Sequence, residues 1–407
     1  MPWREFSAME LREEFVKLAL VPGSNKQELC RRFGISRSNG HKWLKRYLAE
    51  GRAGLSDRPR RPHHSPASCA PSVEAAVLRL RDESNNTWGG RKIAVVMRRE
   101  SRVAVPAAST ITEILRRHGR LVERAHEHPG PCQRFEHEQP NDLWQMDFKG
   151  HFAIKGGRCH PLTVLDDHSR YGLGIEACHN EQDGTTRERL ELVFRRYGLP
   201  LRMLMDNGSP WGDSGGRPFT SFTVWLMRLG VRVSHGRPYH PQTQGKDERF
   251  HRTMKAEVLT GRSFADLGAC QRAFDTWRHV YNHERPHQAL SYGTPSERYR
   301  PSLRSFPEQL PVIEYGPDDT VRKADQEGDI RFKTRRIRLG RAFRSVPIAL
   351  RPVSEDGIFS VHFCATQIGT IDLRAIAPSA CGLVDIARAM PTTPQVQQQQ
   401  QKLDKSP

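Results

Sequence analysis

The sequence predicts an α/β protein, a mixed-sheet core preceded by helix-turn-helix domains and followed by a small β-barrel. Three observations predict it. Up to about residue 120, short blocks carry apolar residues at helical spacing. From 141 to 300, short apolar strands alternate with helices. Beyond 301, β-rich stretches are separated by Gly, Asp and Pro turns. These shifts divide the chain into a helix-turn-helix domain over 1–52, a basic Pro-rich linker over 53–71 and a second helix-turn-helix domain over 72–119. A connector over 120–140, the α/β core over 141–300, the β-barrel over 301–390 and a disordered Gln-rich tail over 391–407 complete it.

The first domain opens with a helix over 9–19 and continues with 25–33, where Leu29 and Phe33 share one face. Gly34 permits a sharp turn, and Ser36 can cap the next helix. Gly40, Trp43, Leu44, Tyr47 and Leu48 form that helix's buried stripe. Arg37, Ser38, His41, Lys42 and Lys45 form its opposite face, the first of them at the helix N-terminus, where a recognition helix meets base edges. An ordinary solvated basic face is the alternative. The polar, Pro-rich stretch 52–71 cannot easily form a packed element.

A second three-helix pattern covers 73–82, 90–99 with Ile93, Val96 and Met97, and 107–118 with Ile111, Ile114 and Leu115. Pro106 suits the first turn of the last helix. In the core, 144–154, 160–165 and 170–177 read as strands and 184–197 as a helix. Then follow a strand (201–205), a helix (219–229), a strand (231–234) and two longer helices (245–259 and 264–282). The barrel's strands are expected in 330–338, 342–350, 359–363 and 367–371.

Lys and Arg outnumber Asp and Glu 64 to 46 in the 407 residues, a net charge of +18 that favours a polyanion, because each neutralised phosphate releases a counterion. Nucleic acid is the first expectation from the charge, and the basic face of the capped helix directs it to double-stranded DNA. No apolar run spans a bilayer and the start lacks a signal peptide's apolar core, so no membrane partner and a cytoplasmic, nucleoid-associated location are expected. The eight cysteines include no C-x-x-C pair, which supports neither a disulfide framework nor a zinc ribbon.

Three acids stand out. Asp147 lies between Met146 and Phe148 in an apolar strand, where an unpaired carboxylate is costly to desolvate. Asp206 follows Met203-Leu204-Met205 at the carboxyl end of a core strand, where α/β sheets collect ligands. Glu248 lies on the basic helix starting near Gly245. Two strands and a helix can bring such acids together on divalent metal, and hard oxygen ligands suit Mg²⁺, with Mn²⁺ as a substitute. Two ions can hold the attacking and leaving oxygens of a phosphoryl displacement. No small-molecule cofactor is expected.

The sequence resembles the DDE transposases and integrases with an RNase H-like core, most closely the bacterial insertion-sequence transposases of family 481. The resemblance rests on Pro140-Asn141-Asp142-Leu143-Trp144-Gln145-Met146-Asp147-Phe148-Lys149-Gly150, on Leu165-Asp166-Asp167-His168-Ser169-Arg170 and on Asp206-Asn207-Gly208-Ser209-Pro210. It continues in His240-Pro241-Gln242-Thr243-Gln244-Gly245-Lys246-Asp247-Glu248-Arg249 and closes with Tyr281-Asn282, Arg285-Pro286-His287 and Leu290. It implies that Asp147, Asp206 and Glu248 are the catalytic, metal-binding triad. The stretch between the last two is longer than is usual in the family, and Gly212–Gly216 could carry the extra length as a loop.

Among competing acids, Asp166 and Asp167 fall in a turn where acids are routinely solvated, Asp247 points about 100° away from Glu248, and Asp142 and Glu257 read as surface acids. Lys255, two helical turns beyond Glu248, resembles the basic residue with which integrase-like enzymes hold a DNA end. Lys246 and Arg249 are further DNA-binding candidates; His240, Arg285 and His287 are secondary ones. The resemblance implies an insertion-sequence transposase that binds its element's terminal repeats. It would cut a 3′ end and join it to target DNA, as a homo-multimer. A phage or retroelement integrase and a DNA-binding regulator without catalysis are the alternatives.

Overall fold

A computed structural model of the chain describes residues 7–58, 69–100, 104–121, 136–212, 219–235, 245–376 and 381–383. It divides into two compact units, 1–68 and 69–407.

In the first unit, α1 (Ala8–Ala19) begins with a capping box between Ser7 and Glu10, α2 (Lys26–Arg32) is capped by Asn25, and α3 (Arg37–Glu50) by Ser36. Gly34 turns the chain between α2 and α3 at φ +62°. Phe15, Val16, Ala19, Cys30, Trp43, Leu44 and Leu55 make the core. A Cβ on Gly40 would lie 2.5 Å from Cys30 Sγ and 2.9 Å from Phe15, so the helix contact needs glycine there. Two expectations are corrected. Leu48 is 67% exposed, because it lies one turn beyond Leu44, the last residue of α3 that the core buries. The start of the expected linker packs, with Gly51–Leu55 forming a 3₁₀ turn that buries Leu55 completely. Arg12 fastens the turn by donating to Leu55 O at 2.8 Å and pairing with Asp57 at 3.0 Å.

The second unit starts with α4 (Pro71–Glu83), α5 (Gly90–Glu100) and α6 (Ala108–Arg117), closed around Val77, Leu80, Ile93, Met97, Ile111 and Leu115. Pro106 lies just outside α6 rather than in its first turn, because Ala107 is the N-cap.

The core follows as β1 (Trp144–Phe148), β2 (Phe152–Ile154), β3 (Gly157–Asp166), β4 (Gly172–Cys178), α7 (Asp183–Tyr197), β5 (Arg202–Met205), α8 (Ser221–Arg228), β6 (Arg232–His235), α9 (Gly245–Met254) and α10 (Leu267–His283). The single strand expected over 144–154 is two. The chain breaks at Gly150 (φ +81°), and β2 turns back to pair antiparallel with β3. The sheet order is β2-β3-β1-β5-β6, with β4 also on β3; β1, β5 and β6 run parallel and the other pairs antiparallel. Strand alternation sends Trp144 and Met146 into a core with α7 and α8, while Leu165, Ile175 and Ala177 face α9 and α10 on the other side. The sheet is therefore covered on both faces.

After α9 the helix widens into a π turn, Lys255–Leu259. The C-terminal region has β7 (Thr320–Lys323), β8 (Asp329–Phe332), β9 (Arg335–Arg338), β10 (Pro347–Pro352), β11 (Ile358–Phe363), β12 (Thr366–Asp372) and β13 (Cys381–Leu383). They form a sheet β12-β11-β10-β7 and a smaller sheet β13-β9-β8 around one apolar core, which Val224 and Met227 of α8 join. Strand β7 was not expected from the sequence. The Gln-rich tail lies outside the described residues. Among the described residues no helix is long and apolar enough to cross a membrane, and Cys30, Cys69, Cys159, Cys178, Cys270 and Cys364 are free thiols.

Candidate active site

The parallel pair β1 and β5 brings two of the predicted carboxylates to one edge. Gln145 pairs with Leu204, so Asp147 near the end of β1 and Asp206 just past β5 lie at the same carboxyl end of the sheet. The alternation that buries Met146 points Gln145 and Asp147 at α9. Burial pushes the Asp147 carboxyl up to about 7, and the charges of Asp206, Glu181 and Glu248 add to the effect.

Asp206 is held by its own loop. Gly208 N donates to Oδ1 at 3.0 Å and Trp211 Nε1 donates to the same oxygen, while His235 Nδ1 lies 2.8 Å from the Asp206 carbonyl. Trp211 is itself fixed by stacking on Phe148 at 5.4 Å.

Glu248 sits in the first turn of α9 and is exposed. The inward stripe of α9 is Asp247, Phe250 and Met254, so Glu248 reaches Asp147 electrostatically from the solvent side. Among the described residues no three His, Cys, Asp or Glu side chains lie close enough to hold a metal ion. Residues 213–218 and 236–244, which flank Asp206 and Glu248 and include His240, lie outside the described residues. The donor set nevertheless suits a divalent cation. Two carboxylates of like charge share a partly dry edge, a repulsion that a hard cation would relieve.

Several side chains near the site escaped the sequence reading. Lys149 is two residues beyond Asp147, just past the end of β1, and its ammonium is held below its ordinary range by burial and by nearby Lys255. His251, on α9, has Nδ1 3.9 Å from Asp147 Oδ2 and Nε2 2.7 Å from Thr163 Oγ1, and Thr163 in turn donates to Asp147 O at 2.9 Å. Burial, with Lys149, pulls the His251 imidazole down to about 4, so it is neutral at pH 7. A signal existed for both. Lys149 follows Asp147 at the strand period of two, and His251 follows Asp247 at the helical spacing of four.

The turn acids are a correction. Asp166 and Asp167 are buried, not solvated. Asp166 accepts from Asn141 N and Ser169 N, both at 2.8 Å. Asp167 accepts from Gln145 Nε2 at 2.7 Å, from His137 N at 2.9 Å and from Lys246 Nζ. Burial opposes its ionisation, yet the Lys246 ammonium holds the Asp167 carboxyl below the usual range. Asp247 is buried with no hydrogen-bond partner on either oxygen, and burial, with Asp147 and Asp167 nearby, drives its carboxyl well above the usual range. Glu257, expected on the surface, is also buried and accepts from Trp277 Nε1 at 2.8 Å and Arg285 Nε at 3.0 Å.

The DNA-contact candidates separate accordingly. Arg37, Ser38, His41, Lys42 and Lys45 are all exposed on α3, and Lys42 lies 4.7 Å from the centre of the Trp43 ring. Arg249 and Lys255 are exposed on and just beyond α9. Lys246 instead turns inward to Asp167, Arg285 is committed to Glu257, and His287 is buried with Nε2 3.1 Å from Tyr281 O.

The integrase core domain matches this mixed sheet with its carboxylates at the ends of adjacent parallel strands, over residues 137–241 and, in a second form, 229–295. A helix-turn-helix domain matches 11–63 and a homeodomain-like domain 39–115. Over the C-terminal strands, the C-terminal domain of IS481 family transposases matches 319–378. Its relatives come from insertion elements. It is 27% identical over 281 residues to an uncharacterized 31.7 kDa protein of insertion element IS407 from Burkholderia multivorans, spanning 67% of this chain and 90% of that one. It is 28% identical over 160 residues to an uncharacterized 39.2 kDa protein of insertion element IS476 from Xanthomonas euvesicatoria, spanning 39% and 44%. It is 26% identical over 230 residues to the transposase InsD of an IS2 insertion element from Escherichia coli, spanning 53% and 74%.

Proposed function

We propose that the protein is a DNA transposase of an insertion sequence. It binds the terminal repeats of its element, cleaves a 3′ end and transfers that end into target DNA, working as a homo-multimer that holds two ends together. The observation that carries this reading is the meeting of Asp147 and Asp206 at the ends of two parallel strands, with α9 alongside, in an integrase core.

Asp147, Asp206 and Glu248 are the residues that would hold Mg²⁺ or Mn²⁺, as two ions; the metal would neutralise charge building on the oxygens of the scissile phosphate. Trp211 and Gly208 keep one Asp206 oxygen in place. Thr163 and His251 fix the backbone and the flank of Asp147. Lys149 and Lys255 set positive charge beside the site, where it would hold a phosphate. In the first reaction water attacks phosphorus and the 3′ oxygen leaves as a hydroxyl. In the second that hydroxyl attacks a target phosphodiester. Each step exchanges one P–O bond for another, so no energy-supplying cofactor is needed.

The test is cleavage of a duplex carrying the element's end, with Mg²⁺, by wild type and by Asp147→Ala, Asp206→Ala and Glu248→Ala. Each variant should lose cleavage and joining while still binding the end. Wild-type rates from Asp206→Ala would overturn the assignment.

A further inference from the structure

The second three-helix module is fastened to the end of the helix that carries Glu248. At the turn between α4 and α5, Asn85 Nδ2 donates to Ala256 O at 2.9 Å, and Thr87 Oγ1 lies 3.0 Å from Glu257 Oε1. Both Ala256 and Glu257 belong to the π turn that begins at Lys255. Such widened turns are uncommon and recur at functional sites. Glu257 is no loose anchor, since Trp277 and Arg285 hold the same carboxylate from within the core.

Two further contacts stop the module from pivoting about that point. Arg99, at the far end of α5, donates to Tyr292 O at 3.2 Å and to Glu297 Oε1 at 3.3 Å. Val280 of α10 packs against the module's apolar core. Asn85 and Asn86 both adopt left-handed backbone (φ +52° and +56°), a conformation that persists where the surroundings impose it. The docking surface uses the α4–α5 turn and the end of α5. It leaves Ser109, Thr110 and Arg116 on the outward face of α6 exposed, together with Arg91 and Arg98 of α5.

We propose that the Asn85/Thr87–Ala256/Glu257 junction makes this module a fixed ruler, holding duplex DNA at one distance from the Asp147–Asp206 edge so that a single phosphate is presented for cleavage. Asn85, Thr87 and Glu257 are positioning residues, acting through the π turn on the helix of Glu248 and Lys255. The proposal rests on the transposase reading above. A flexible tether would present a range of phosphates, whereas a docked module presents one, and a displacement of about 1 Å at the reacting centre is enough to cost about 10²-fold in rate.

The experiment uses the full chain with Thr87→Val and Asn85→Gly combined; glycine keeps the left-handed backbone while removing the carboxamide. On an end-labelled duplex bearing the element's terminal repeat, wild type should cut at one phosphate. The double variant should bind equally well, cut that phosphate about 10–100-fold more slowly and spread its cuts over neighbouring positions. Thr87→Ser, which keeps the hydroxyl, should restore the single position. An unchanged cut position and rate in the double variant would overturn the proposal. Hydrogen exchange on the DNA-free proteins gives an answer independent of chemistry. Amides of 84–92 and 255–259 should lose protection together in the double variant, and unaltered protection at 255–259 would also overturn it. Should wild type cut no duplex while the exchange result holds, the transposase reading fails and the rigid junction stands.

Discussion

Replacing Asp147 with Asn should make the protein more stable and inactive at once. The metal-free site holds a carboxylate whose pKa is raised from 3.8 to about 7, chiefly by burial and then by Asp206. A raised carboxylate pKa means that the folded state binds its proton more tightly than the unfolded chain does. The stability contributed by Asp147 is therefore complete below about pH 4 and is lost as pH climbs from there through about 7. Three units correspond to about 4 kcal/mol. With 26% of the side chain still exposed, about 2–3 kcal/mol is the better expectation at pH 8. Asparagine removes the charge with little change of shape, so Asp147→Asn should melt about 3–4 °C above wild type at pH 8 without metal and at about the same temperature at pH 4. Calorimetry over that pH range, with and without Mg²⁺, is the assay. Mg²⁺ should raise the melting temperature of wild type more than that of the variant. A variant no more stable than wild type at pH 8, or a gap that does not change with pH, would refute the reasoning.

Three further outcomes are expected. Lys246→Ala should destabilise the core by about 3–5 kcal/mol, because it strands the buried Asp167 charge, while DNA affinity changes little; denaturant melts beside binding titrations separate the two, and a large affinity loss without destabilisation would return Lys246 to the DNA-contact set. Arg37→Ala, His41→Ala and Lys45→Ala should each weaken binding to the terminal sequence by about 1–3 kcal/mol per lost base contact and leave random duplex nearly unaffected. Lys255→Ala should do the reverse, sparing recognition and slowing cleavage. Equal losses on both duplexes for Arg37→Ala, or undiminished cleavage by Lys255→Ala, would reverse those assignments.

Much of the fold was legible because local periodicity and tertiary packing agree. The capped helices of the first unit begin at Ser36 and Asn25 as their side chains dictate, and Trp144, Met146 and Met203 are apolar because α7 and α8 cover their face of the sheet. Strand position likewise singled out Asp147 and Asp206, and the pairing of Gln145 with Leu204 brings both to the same end of the sheet. The break at Gly150 was not legible, because 144–148 and 152–154 share strand chemistry and only the pairing of Phe152 with Cys159 reveals the reversal.

What the sequence by itself determined, then, is the order of elements and the residue types placed at their ends. Only the tertiary structure decided which charges face inward. Asp166, Asp167, Asp247 and Glu257 look alike in sequence to solvated acids, and Lys246 and Arg285 to phosphate-binding cations. Burial turns each on whether a partner from a distant segment arrives: Lys246 reaches Asp167 from 79 residues away and Arg285 reaches Glu257 from 28, while Asp247 meets none and is driven toward its neutral form. The cost of an unpaired charge depends on its surroundings and not on its neighbours in the chain, and those surroundings exist only once the sheet and α9 have packed.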